Sequence, residues 1–203
     1  MNTTRTTSES SGSDIVIYTD GGCHNESGTL KGVGAWAFVV YDGNTDNVDV
    51  HCGIVRNTTN NRTEMLAIIN AIRHHDEHSD ITIISDSGYV VKGYNHPSYL
   101  DAWMKNNWRT SSGSEVLNRD LWNEIIALTY RYGIKFKLIR GHYKDPDRTH
   151  AFWNAIVDRA CTFVMQNDID TDHIIMEFNM KTKKFTMKHL NVELCELKGV
   201  KKL

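Results

Sequence analysis

Ile81-Thr82-Ile83-Ile84 is a near-continuous apolar run that ends in Ser85-Asp86. A strand with one wet face alternates apolar and polar residues. A run like this belongs to a strand covered on both faces, which means parallel pairing with helices on each side. That requirement selects an α/β architecture. It also puts Asp86 at the carboxyl end of the strand, where open α/β sheets gather their ligands. The plainer reading is local: Asp86 or Ser87 caps a helix over residues 88–93.

Ile15-Val16-Ile17-Tyr18-Thr19 reads as another strand ending at Asp20, and Gly21-Gly22 lets the chain turn. Taken alone, Asp20-Gly21 is an ordinary hairpin signal. A polar loop over 23–31 leads to strands over 32–41 and 47–55, joined at Asp42-Gly43-Asn44. Such short connections make these three strands an antiparallel meander. Met65, Ile68, Ile69 and Ile72 then recur at helical spacing up to about His75. With Asn61 as N-cap, Glu64 completes a capping box. Yet Glu64 also borders the apolar face, and neither Lys nor Arg follows three or four residues on. A half-buried, unpaired carboxylate calls for a metal or another partner.

Residues 96–119 interleave Tyr99, Trp103 and Trp108 with Lys105, Arg109 and Arg119. Aromatics with cations suit a nucleic-acid surface; the same residues suit a helical hairpin with its own small core. A helix over 121–132 and a half-exposed strand over 134–140 follow. A polar loop over 141–150 then leads to a last helix from Phe152 to Met165. In that helix Asp158 shares a polar stripe with Asn154 and Thr162, which in isolation is a solvated face.

Composition excludes several classes. A formal net charge of -2 over 203 residues does not fit a nonspecific nucleic-acid coat, so any such surface is local. The four cysteines form no CxxC pair, which argues against zinc and for reduced thiols in a cytoplasmic setting. No apolar run reaches membrane-spanning length. Residues 1–13 are Ser/Thr-rich and read as a disordered tail, leaving 14–165 as one domain. The extension over 166–203 reads as a β-hairpin whose basic tip is Lys181-Thr182-Lys183-Lys184. From His173 onward it holds seven lysines against three acids.

Read together, Tyr18-Thr19-Asp20-Gly21-Gly22-Cys23, Gly32-Val33-Gly34-Ala35-Trp36, Thr58 to Met65, Ser85 to Val90, Gly141-His142 and Asn154 to Asp158 resemble the type 1 ribonuclease H family. The resemblance implies an RNase H-like α/β fold. Its mixed sheet has five strands, three antiparallel and then two parallel, flanked by helices, with the C-terminal hairpin as an add-on. It implies an endonuclease that hydrolyses the RNA strand of RNA–DNA hybrids, leaving 5′-phosphate and 3′-hydroxyl ends. Asp20, Glu64, Asp86 and Asp158 match the four catalytic, metal-binding carboxylates. Crowded carboxylates need cations, and two Mg²⁺ ions about 4 Å apart, with Mn²⁺ as substitute, serve an in-line displacement. The same resemblance gives His142 a part in proton transfer or product release.

Substrate contacts carry over in the same way, to Cys23, Asn25, Asn60 and Asn61 in the minor groove, Thr59 at a DNA-strand phosphate, and Asn154 beside Asp158. Trp103 and Trp108 fall in the family's basic protrusion. The expected partner is the hybrid itself, bound by a monomer with no obligate protein partner and no membrane. Three departures stand out: a less basic protrusion, Gly88 where glutamine is common, and a longer stretch between His142 and Asp158 that leaves open whether His150 shares the role of His142. The lysine tip of the extension is expected to replace part of the lost basic surface. A noncatalytic hybrid-binding module and a DNA-cutting nuclease of the same fold are the alternatives; the four carboxylates disfavour the first and Thr58-Thr59-Asn60-Asn61 the second.

Overall fold

The computed structural model describes residues 15–24, 32–41, 43, 45–76, 80–141, 144–167, 169, 171–188 and 192–196. The apolar run forms β4 (Asp80–Ser85), with Ile81, Ile83 and Ile84 buried. It pairs in parallel with β1 (Ile15–His24) and with β5 (Gly133–Leu138). β1 also pairs antiparallel with β2 (Gly32–Tyr41), and β2 with β3 (Asn47–Thr58). The chain does not turn at Gly21-Gly22, because β1 runs through both glycines to His24.

Among the described residues five helices complete the layers: α1 (Asn60–Arg73), α2 (Gly88–Asn95), α3 (Pro97–Lys105), α4 (Arg119–Thr129) and α5 (Arg148–Gln166). Alternate residues of β1 and β2 face opposite ways. Ile17, Trp36 and Phe38 pack with α1, α2 and α4, while Tyr18, Ala35, Ala37 and Val39 pack with α5. Helix α5 starts four residues before Phe152, because the Asp147 carboxylate accepts from the backbone N–H of Thr149 at 2.8 Å and of His150 at 3.4 Å. His150 therefore belongs to the helix and not to the preceding loop. No helix among the described residues is long and apolar enough to cross a membrane.

The sheet does not stop at five strands. Its order is β5-β4-β1-β2-β3-β6-β7-β8, with β6 (Ile174–Asn179), β7 (Lys184–Met187) and β8 (Val192–Glu196) all antiparallel. The reason lies at β3. Its edge would otherwise present unpaired backbone groups, and β6 satisfies them from Asn47 to Cys52. The connector crosses at Gly53, where a Cβ would overlap the Asp172 carbonyl, and Ile54 N–H donates to Thr171 O at 3.0 Å. Phe178 is buried against Phe152 of α5 and Phe185 against Phe178, so the extension shares the domain core.

Three of the extension's lysines are engaged within the protein. Lys181 pairs with Asp46, Lys188 pairs with Asp49, and the Lys183 ammonium lies 4.5 Å above the Phe152 ring. The exposed ion pairs contribute little to stability, but they direct these charges back onto β3, the residue before it, and α5. The extension is thus a continuation of the sheet fastened to the domain, with its lysine tip at the β6–β7 connection.

Histidines crowd the junction between the extension and the domain. His51 of β3 is only 5% exposed; its Nδ1 lies 3.0 Å from Nε2 of His173, just before β6. His74, at the end of α1, has its ring centre 4.3 Å from that of His51, and Phe38 stacks on His51 at 4.6 Å and touches His74 at 5.5 Å. Burial, and then His74 and His173, lower the His51 imidazole to about 4. Burial also lowers His173 and His75.

Candidate active site

Two glycines let the carboxylates meet. A Cβ on Gly21 would overlap the backbone of Thr63 and Glu64, so only glycine lets the first turn of α1 rest on β1. That contact sets Glu64 beside the strand position next to Asp20. A Cβ on Gly141 would overlap the Asp86 carboxylate, so the chain after β5 closes over the end of β4. Helix α5 supplies the third wall. Asn154, Asp158 and Cys161 share one face at spacings of four and three. Asn154 Nδ2 donates to Asp86 Oδ2 at 3.3 Å, and Cys161 Sγ donates to the Asp20 carbonyl at 3.6 Å.

The capping box does not form. The N-cap of α1 is Thr59, which makes no side-chain cap bond. The Glu64 carboxylate instead accepts from Asn60 Nδ2 at 2.9 Å and from the Ser87 hydroxyl. The Ser87 oxygen in turn accepts from Val90 N–H at 3.3 Å and caps α2. Ser87 thus takes the helix-capping role that the sequence left open between Asp86 and Ser87, and Asp86 is turned toward Asn154.

Burial and like charge together set the electrostatics. Burial pushes the Asp20 carboxyl well above the usual carboxylate range, with Asp86, Asp158 and then Glu64 adding to it; the Gly21 N–H, 2.7 Å from Oδ1, works the other way. Burial also raises Glu64, against the Ser87 bond that lowers it. Such a cluster relaxes when a cation enters, and four carboxylates are a hard oxygen donor set that suits Mg²⁺. Among the described residues, no three His, Cys, Asp or Glu side chains close into a finished metal cage. Mg²⁺ keeps waters and takes oxygens from substrate phosphate, so the donor set fits it without one. Beside Asp86, Asn154 is 3% exposed, and its Oδ1 has no partner among the described residues.

The other expected site residues divide. His142 and Asn25 lie outside the described residues. Cys23 is half-buried with Sγ 3.6 Å from the Thr58 carbonyl, and burial raises its thiol. Thr59 and Asn61 flank the start of α1 and are partly exposed. Asn60 is exposed, with its Nδ2 donating to Glu64. Trp108 is 7% exposed, with the Arg119 guanidinium 5.6 Å from its ring, and Trp103 is half-buried edge-on to Trp122. Both indoles belong to the small core of the protrusion, which leaves Trp108 almost no ring face for a base. Ser87 was missed as a partner of Glu64; its one sequence signal was the N-cap position before Gly88.

The family model for RNase H matches residues 12–165. The Ribonuclease H of Caldicellulosiruptor saccharolyticus is 38% identical over 133 residues, which is 65% of this chain and 86% of the relative. That of Chlorobium luteolum is 39% identical over 132 residues, again 65% of this chain and 86% of the relative. Among solved structures, LC9-RNase H1, described as a type 1 RNase H with the type 2 active-site motif, superposes with a TM-score of 0.59 at 20% identity. That match covers 75% of this chain and 72% of the other. LC11-RNase H1 in complex with RNA/DNA hybrid superposes at 0.52 with 19% identity, covering 77% of this chain and 100% of the other. The family match ends before β6, so β6–β8 lie outside it.

Proposed function

The chain belongs to the RNase H family, and from that premise we propose that it is an endonuclease cutting the RNA strand of RNA–DNA hybrids by in-line displacement, leaving 5′-phosphate and 3′-hydroxyl ends. The observation that carries this reading is the approach of Asp20, Glu64, Asp86 and Asp158 from β1, α1, the end of β4 and α5, with burial and then the neighbouring carboxylates pushing Asp20 upward.

In the proposed mechanism these four carboxylates hold the metal. Two bound Mg²⁺ ions, or Mn²⁺ in their place, would supply charge stabilisation to the displacement at the phosphate. The chain's own residues set the stage for it. Ser87 and Asn60 each donate to Glu64 and fix its orientation. Asn154 donates to Asp86 and holds it toward α5. Gly21 N–H turns one oxygen of Asp20 toward the backbone, leaving the second for a cation. Cys23, Asn25, Thr59 and Asn61 flank these carboxylates in sequence and would contact the hybrid, where the 2′-hydroxyl separates RNA from DNA. His142 would assist departure of the product. The hybrid-bound LC11-RNase H1 neighbour supports this substrate class. Free thiols at Cys23, Cys52 and Cys161 agree with a reducing, cytoplasmic setting, and the working assignment is a monomer.

A paired assay tests the reading. Asp86→Asn keeps the shape of the side chain and removes its charge. Cleavage of a labelled hybrid should fall about a hundredfold or more, while binding of the same hybrid persists. Equal cutting by both proteins would remove the carboxylates from the mechanism.

A further inference from the structure

His150 sits four residues before Asn154 and eight before Asp158, on the face of α5 that looks toward the carboxylates. Both of its ring nitrogens are engaged. Nδ1 lies 2.8 Å from the Tyr18 hydroxyl, and Nε2 lies 2.7 Å from Lys137 Nζ. A lysine ammonium has three donors and no acceptor, so Nε2 must accept. The proton of the neutral ring is then on Nδ1, which donates to Tyr18 Oη. The Asp147 carboxylate, 3.6 Å from Nε2, lies beyond hydrogen-bond range and offsets the Lys137 charge.

This one ring ties three elements together. Tyr18 is on β1, two residues before Asp20 and facing the same way; it is 2% exposed and stacked on Trp153 of α5 at 6.1 Å. Lys137 is on β5, and the chain leaving that strand carries Gly141 to Asp86. The His150 side chain is 12% exposed. A group that exchanges protons with water or substrate needs an open nitrogen, and His150 has none.

We propose that His150 is a positioning residue, not a proton carrier: locked as the Nδ1–H tautomer between Tyr18 and Lys137, it fixes the register of α5 on the sheet and so places Asn154 and Asp158 against Asp86 and Asp20. The positioning role rests on the proposed hybrid-cleaving function; the tautomer does not.

Nitrogen-15 NMR of the full chain reads the tautomer directly. A pyrrole-like Nδ1 and a pyridine-like Nε2 are expected, and a proton on Nε2 overturns the assignment. Lys137→Met, at an exposed position, should relax that preference toward a mixture even if other variants fold poorly; an unchanged spectrum also overturns it. Kinetically, His150→Phe keeps a ring and loses both bonds. Its kcat on hybrid should fall about 10- to 100-fold with KM within about twofold and the acid limb of the pH profile unmoved. His150→Gln, which can still donate to Tyr18 and accept from Lys137, should recover most of the loss. A His150→Phe enzyme with wild-type kcat, a displaced acid limb, or no recovery by glutamine overturns the positioning role. A wild-type chain that leaves hybrid intact overturns the proposed function and this role with it, whereas a wrong tautomer in an active enzyme overturns this role alone.

Discussion

Acid should loosen this protein through His51. An unfolded histidine titrates near 6.5, and the buried His51 near 4. Because its folded value is depressed, the native state gains no proton between these limits while the unfolded chain does. The stability that neutral His51 permits is therefore intact above about pH 6.5 and is lost progressively as pH falls toward 4. The full span of about 2.5 units corresponds to about 3 kcal/mol, of which about 2 kcal/mol is already gone at pH 5. His173 and His75 are lowered as well and add loss of the same sign. Raised carboxyls at Asp20 and Glu64 act the opposite way, so the raw pH dependence of the wild type is not the test. The test is the difference from His51→Gln, which keeps a polar group facing His173 but does not titrate. Urea unfolding at pH 7.5 and pH 5.0 gives both free energies. Between these pH values the wild type should lose about 2 kcal/mol more than the variant. Equal losses would mean that His51 is protonated as readily in the fold as outside it, and the buried-junction argument would be wrong.

Three other perturbations address the rest of the structure. Gly141→Ala places a methyl where the Asp86 carboxylate lies; hybrid cleavage should drop about a hundredfold with the circular dichroism spectrum unchanged. Asp20→Asn removes a carboxylate whose charge is penalised by burial and by the neighbouring carboxylates, so the variant should melt at a higher temperature than the wild type without metal. Added Mg²⁺ should then raise the melting temperature of the wild type alone. Phe185→Ala opens a cavity at a residue only 1% exposed, far from the carboxylates in sequence. It should cost about 3–5 kcal/mol in denaturant unfolding, whereas a separate binding appendage would show a rise in KM instead.

What the sequence could reveal follows from how local each signal is. The β4 run announced burial on both faces by itself, and the short connections of β1 to β3 announced their pairing. The four carboxylates were recognisable only as a set, since each had an adequate local explanation. Two of those explanations fail in the structure. Glu64 is held by the side chains of Asn60 and Ser87 rather than in a capping box, and Asp158 faces the site rather than solvent. Gly21-Gly22 looked like a turn because glycine permits one. It is there because a helix start needs the space, and a period-2 pattern carries no trace of a helix packed above it. The edge that β6 joins was equally hidden: alternation over Ile174–Met180 identifies a strand without naming its neighbour. The His51–His173 contact joins residues 122 apart in sequence, and nothing short of tertiary structure brings them together. Trp108 shows the limit of composition, because an aromatic flanked by cations reads the same whether its ring faces a nucleobase or a core.

The central claim is that four carboxylates and divalent metal cut RNA within a hybrid. The most direct measurement is a cleavage time course on a hybrid with each strand labelled in turn, followed by analysis of the ends produced. Internal cuts in the RNA strand alone, only with Mg²⁺ or Mn²⁺ present, and leaving 5′-phosphate and 3′-hydroxyl ends, are predicted. Cutting that persists in EDTA, cuts in the DNA strand, or an intact hybrid held tightly by the protein would contradict it.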